Sequence, residues 1–91
     1  MLKITKKGNK AWVTFSIIPM SESEVFLCGD WNEWENEKMK VKKNGEYYLT
    51  KVLQSGDSYQ FGYKTGNIWS YDNEIESIDS PFGSKNSLLR L

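Results

Sequence analysis

The sequence predicts an all-β fold, an antiparallel β-sandwich of about seven or eight short strands, with a small barrel as the alternative. Three observations lead there. Apolar residues alternate instead of recurring at helical spacing. An Asn-Gly pair, Asn44-Gly45, separates two alternating segments, the strongest short-range hairpin signal. Turn residues recur at intervals suited to short antiparallel strands, and a chain of 91 residues has room for one small core.

The elements follow in order. Residues 1–10 read as an edge strand or a flexible start. Ala11-Trp12-Val13-Thr14-Phe15-Ser16-Ile17-Ile18 forms the first clear strand, with Val13, Phe15 and Ile17 on one face and Trp12, Thr14 and Ser16 on the other. Pro19 ends it, having no backbone N–H to give a neighbouring strand. After a polar loop over residues 20–23, Glu24-Val25-Phe26-Leu27-Cys28 is nearly all apolar, as a central strand is. Gly29-Asp30-Trp31-Asn32-Glu33-Trp34 has no clean period and reads as a structured loop. Met39-Lys40-Val41-Lys42 and residues 46–53 make a hairpin around Lys43-Asn44-Gly45, both turn residues being suited to positive φ. Residues 54–57 form another turn. Tyr59, Phe61 and Tyr63 give residues 58–64 an aromatic face, and Thr65-Gly66-Asn67 reverses the chain into Ile68-Trp69-Ser70-Tyr71. Residues 72–84 are polar and irregular, and residues 87–91 close the sheet. The expected organisation is one domain over residues 1–91.

Composition excludes several functions. Twelve basic and twelve acidic side chains leave a formal net charge of +0, which speaks against a partner held mainly through its phosphates. Without histidine neither a Ser-His-Asp nor a Cys-His nucleophile can be assembled. Cys28, the one cysteine, can form no internal disulfide, and neither a secretory signal nor a ~20-residue apolar span is visible, so the expected setting is cytoplasmic. Lys3, Lys6, Lys7 and Lys10, with Lys38, Lys40, Lys42 and Lys43, suggest basic patches, yet lysines on exposed strand edges also guard against edge-to-edge pairing. Residues 72–79 are acidic but lack the twelve-residue calcium-loop pattern and its central glycine. No metal or other cofactor is implied.

Aromatic surface is what remains abundant. Of the four tryptophans, Trp12 and Trp31 read as packing, Trp12 either in the core or half-exposed on a sheet. Trp34 lies in a polar loop with few apolar neighbours, and Trp69 follows a Gly-Asn turn. Two flat rings on loops or strand ends are suited to stack on sugar rings while polar neighbours bond the hydroxyls.

Gly29-Asp30-Trp31-Asn32-Glu33-Trp34 resembles the Gly-Ser-Phe-Asn-Asn-Trp segment of the glycogen-binding domains of AMP-activated protein kinase β subunits. The same module, the family 48 carbohydrate-binding module, precedes the catalytic domains of branching enzymes, isoamylases and pullulanases. The likeness continues in order. Gly45-Glu46-Tyr47-Tyr48 is similar to Gly-x-Trp/Phe, and residues 56–61 to Gly-x-x-x-Tyr-Lys-Phe. Residues 66–72 follow Asp-Gly-x-Trp-x-x-Asp, and Phe82-Gly83-Ser84-Lys85-Asn86 matches Leu-Gly-Thr-x-Asn.

The resemblance implies an early-set immunoglobulin-like sandwich and non-catalytic binding of an α-1,4-linked glucan, oligosaccharide or polymer. It implies Trp34 and Trp69 as stacking platforms, with Gln60, Ser84 and Asn86 bonding hydroxyls and Phe82 buttressing the sugars. Gln60 stands where the family has lysine, Phe82 for a leucine and Ser84 for a threonine. The family's enzymes act from a separate barrel, so no catalysis is expected. The expected chain is a stand-alone module without nucleic acid or membrane partners. The alternative is a protein-interaction sandwich, a targeting partner of a glycogen-metabolising enzyme, that has lost its sugar site.

Overall fold

The computed structural model describes residues 2–19, 24–80 and 83–91, in which ten strands form two antiparallel sheets. One sheet has the order β1-β2-β6-β5, from β1 (Leu2–Lys7), β2 (Lys10–Ile17), β5 (Lys40–Val41) and β6 (Tyr47–Gln54). The other runs β4-β3-β7-β10-β9, from β3 (Val25–Gly29), β4 (Glu37–Lys38), β7 (Ser58–Thr65), β9 (Ser77–Asp79) and β10 (Lys85–Arg90). Strand β8 (Ile68–Ser70) pairs with the end of β7 beyond the stretch that β10 occupies. The loop expected over residues 20–23 and the site residue Phe82 lie outside the described residues.

The alternation read from the sequence sets the layers. Ala11, Val13 and Phe15 of β2 face Val25 and Leu27 of β3 and Phe61 and Tyr63 of β7, with Leu53, Met39 and Leu89 completing the core. Phe15 and Phe61 meet edge to face at 4.8 Å across the two sheets. The fold is thus an all-β sandwich, as expected, and Leu2–Lys7 form an edge strand. Trp12 stands on the outer face of β2, 38% exposed.

Three local expectations are corrected. The segment over residues 39–42 is not one strand. β4 pairs with β3 and β5 with β6, and the chain changes sheets at buried Met39, whose N–H donates to the Val25 carbonyl at 2.9 Å. The Asn-Gly hairpin exists, but only Gly45 has positive φ, at 89°. Gly45 N–H donates to the Lys42 carbonyl and Glu46 N–H to the Asn44 side-chain oxygen, both at 3.0 Å. The turn is therefore a three-residue loop closed by a left-handed glycine. Residues 72–84 are not wholly irregular, because β9 lies among them and pairs with β10.

Candidate functional site

The outer face of the larger sheet carries a groove of ≈560 Å³ lined by Asp30, Trp34, Gln60, Trp69, Ser80, Ser84 and Asn86. Five of the six sequence-predicted site residues therefore share one concavity, the sixth being Phe82. Sequence reasoning missed Asp30 and Ser80 as lining residues. Asp30 stands inside the Gly29–Trp34 motif, at its serine position, which is the signal that could have found it; Ser80 lies two residues before the Phe82 motif, and nothing but the groove itself marks it out.

Each wall has a local cause. After β3 the chain makes one 3-10 turn over Asp30–Asn32, then Glu33 and Trp34 take left-handed φ values of 61° and 64°. Left-handed backbone costs a side-chain-bearing residue about 1–2 kcal/mol, so two in succession must be held by their surroundings. Trp34 N–H donates to the Gly29 carbonyl at 2.9 Å, and Asn36 accepts from the Cys28 thiol at 3.1 Å. Trp31 anchors the loop from inside: it packs on Phe15, Phe61 and Tyr59 and donates its indole N–H to Glu37 at 3.0 Å. One loop thus packs a half-buried Trp31 against the core and leaves Trp34 39% exposed above the sheet.

Trp69 comes from β8, where its register partner is Lys64 of β7. Its ring lies across Gly62, and a Cβ on that glycine would stand 2.1 Å from the indole. The indole N–H donates to the Lys85 carbonyl at 3.0 Å, which ties β8 to the start of β10. Trp34 and Trp69 then face one another with centroids 6.2 Å apart and planes inclined at 55°. They form a V of aromatic surface.

Polar groups line the rest. Asn86, buried on β10, donates to Gln60 Oε1 of β7 at 3.3 Å, so two carboxamides present a coupled pair on the floor. Ser84 and Ser80 hydroxyls lie 3.4 Å apart, and Ser80 N–H donates to the Ser84 carbonyl at 2.8 Å, tying the end of β9 to the start of β10 beside the groove. Asp30 is the one carboxylate among the described lining residues. Nearby, burial pushes the Cys28 thiol above its ordinary range, with Lys64 opposing and Glu37 adding to the shift. No group of three metal-ligating side chains occurs among the described residues. Inclined aromatic faces with amides, hydroxyls and one carboxylate beside them suit a neutral, ring-containing, polyhydroxylated ligand.

A family model described as the glycogen recognition site of AMP-activated protein kinase matches residues 19–91. The match takes in every described lining residue of the groove and all the motifs from Gly29 to Asn86. Among the curated proteins there is no match.

Proposed function

Because the chain belongs to the glycogen-recognition family of AMP-activated protein kinase, a carbohydrate-binding module, we propose that it binds α-1,4-linked glucan without acting on it chemically. In this reading Trp34 and Trp69 stack on the apolar faces of glucose units. Gln60, Asn86 and Ser84 exchange hydrogen bonds with hydroxyls, and Phe82 buttresses the sugar chain. Gln60 in place of the family's lysine both donates and accepts, as a neutral polyol does. The proposal keeps the module in the cytoplasm beside its polymer.

The observation that carries the proposal is the V of Trp34 and Trp69 over the Gln60–Asn86 pair. A β-1,4 glucan is a flat ribbon and prefers coplanar platforms. An α-1,4 glucan curves, so successive rings turn relative to one another and meet two inclined indoles. Affinity built from stacking and directed hydrogen bonds needs no charge steering.

Titration with maltoheptaose and β-cyclodextrin, followed by tryptophan fluorescence, tests the reading, with cellohexaose as the control. The expected result is saturation by the α-glucans alone, little changed from about 50 to 500 mM salt. Trp34→Ala and Trp69→Ala, each shown folded by circular dichroism, should weaken binding by about tenfold or more. Silence of the folded protein toward both α-glucans, or unchanged affinity in either variant, would overturn the proposal.

A further inference from the structure

The four strands β1, β2, β5 and β6 hold six of the chain's twelve basic side chains and none of its twelve acidic ones. A formal net charge of +0 therefore conceals one strongly basic sheet: the strands of the other hold four bases (Lys38, Lys64, Lys85 and Arg90) against two acids (Glu37 and Asp79), and the remaining acids lie outside the described strands. Lys51 is paired, its ammonium 2.6 Å from Glu37. Lys3, Lys7, Lys10 and Lys40 fall by register on the outward face, the face turned away from the core. Among them stand Trp12 and Val52, cross-strand partners that are 38% and 52% exposed.

Protection against edge-to-edge pairing accounts for lysines on β1, which is an edge strand. It does not account for the exclusion of carboxylates from all four strands. Nor does it explain an exposed tryptophan on β2, an interior strand. An aromatic and an aliphatic side chain ringed by cations have the make-up of an interface, with an apolar centre and a polar rim.

We propose that this face docks an acidic protein surface, which sets an apolar side chain against Trp12 and Val52 and carboxylates against the surrounding lysines. Single-stranded nucleic acid would satisfy the charge but needs successive open rings for successive bases. The face's other aromatic, Tyr48, has the Lys42 ammonium 5.4 Å from its ring centroid. Its strands also lack arginine, the side chain whose planar fork matches phosphate. The groove lies on the outer face of the other sheet, so the docked protein leaves it open.

The test is a titration of the whole ¹⁵N-labelled chain, followed by amide and indole NMR shifts, with a short synthetic peptide of glutamate and leucine. The matching lysine-leucine peptide, oligo-dT and maltoheptaose are run in parallel. Saturable shifts confined to β1, β2, β5 and β6 are expected with the acidic peptide, weakening about tenfold or more between about 50 and 300 mM salt. The triple variant Lys3→Glu, Lys7→Glu, Lys10→Glu should lose that response and keep its core resonances. Trp12→Ala should weaken it at every salt concentration and leave the salt slope unchanged. No response to the acidic peptide, shifts located in the groove, or tighter binding of oligo-dT on the same face would each overturn the proposal. Maltoheptaose is read from the Trp34 and Trp69 indoles, so failure of the glucan reading is seen separately.

Discussion

At Gly62 the functional feature is a missing side chain. The residue faces outward on β7, where a Cβ would meet the Trp69 indole at 2.1 Å, far inside van der Waals contact. The ring cannot slide aside without losing its bond to the Lys85 carbonyl. Gly62→Ala is therefore expected to tip Trp69 out of the V, weakening maltoheptaose binding by about tenfold or more and costing about 1–3 kcal/mol of stability. Calorimetric titration and urea unfolding measure the two effects, and wild-type affinity in the variant would uncouple Gly62 from the platform. Gly29 uses the same device on the inner face, where a Cβ would lie 2.4 Å from the Trp31 ring. Trp34 was legible in the sequence because it lies in a polar loop with few apolar neighbours, and Trp69 because it follows a Gly-Asn turn and fits the Asp-Gly-x-Trp-x-x-Asp motif. Gly62 was not, since a glycine inside a strand pattern shows only the absence of a side chain. What it makes room for arrives from β8.

At the scale of elements, period-2 alternation reported which residues face inward but not which sheet they join. Met39-Lys40-Val41-Lys42 alternates across the change of sheet, so the pattern continues while the partner strand changes. β9 left no apolar signal, because its one apolar residue, Ile78, is 40% exposed and the strand is held by backbone pairing to β10. The crossing between sheets is braced by Glu37 of β4. It accepts from the Trp31 indole at 3.0 Å and from the Lys51 ammonium of β6 at 2.6 Å, with both ionic side chains about three-quarters shielded (25% and 24% exposed). Glu37→Ala leaves an indole N–H and a shielded ammonium without their acceptor. The expected cost is about 1–3 kcal/mol in urea unfolding, with a smaller loss of glucan affinity than in Trp34→Ala, because Trp31 keeps its packing on Phe15, Phe61 and Tyr59 when its bond to Glu37 is gone. Glu37→Gln keeps an acceptor and should recover part of the loss. A Glu37→Ala protein as stable as wild type would show that the sheets are joined by core packing alone.

For the whole molecule, net charge misled where topology informs: the chain is neutral, yet the strands of the smaller sheet hold six bases and no acid, and all but two of the acids, Glu37 and Asp79, lie outside the described strands, which no sum over the sequence can register. Protonation is likewise a property of burial. Tyr63 is 1% exposed, stacked edge-on against Phe61, and its hydroxyl has no hydrogen-bond partner among the described residues. Burial, with Asp72 adding, pushes its phenol well above the ordinary range, and burial does the same in smaller measure to the Cys28 thiol. The unfolded chain releases these protons near their ordinary values, about 8.5 for a thiol and about 10 for a phenol. Above those values the native state binds more protons than the unfolded one, so stability falls as pH rises. Tm should therefore change little through these two groups from about pH 6 to 8 and decline above about pH 9. Tyr63→Phe removes the larger contribution together with a buried hydroxyl that lacks a partner. Its expected behaviour is a Tm at neutral pH no lower than wild type and a shallower alkaline decline, measured by thermal unfolding across the pH series. An equally steep decline in Tyr63→Phe would move the alkaline sensitivity to Cys28, where Cys28→Ser separates the two, because a core phenol held neutral and a thiol under the groove loop titrate from opposite faces of the same sheet.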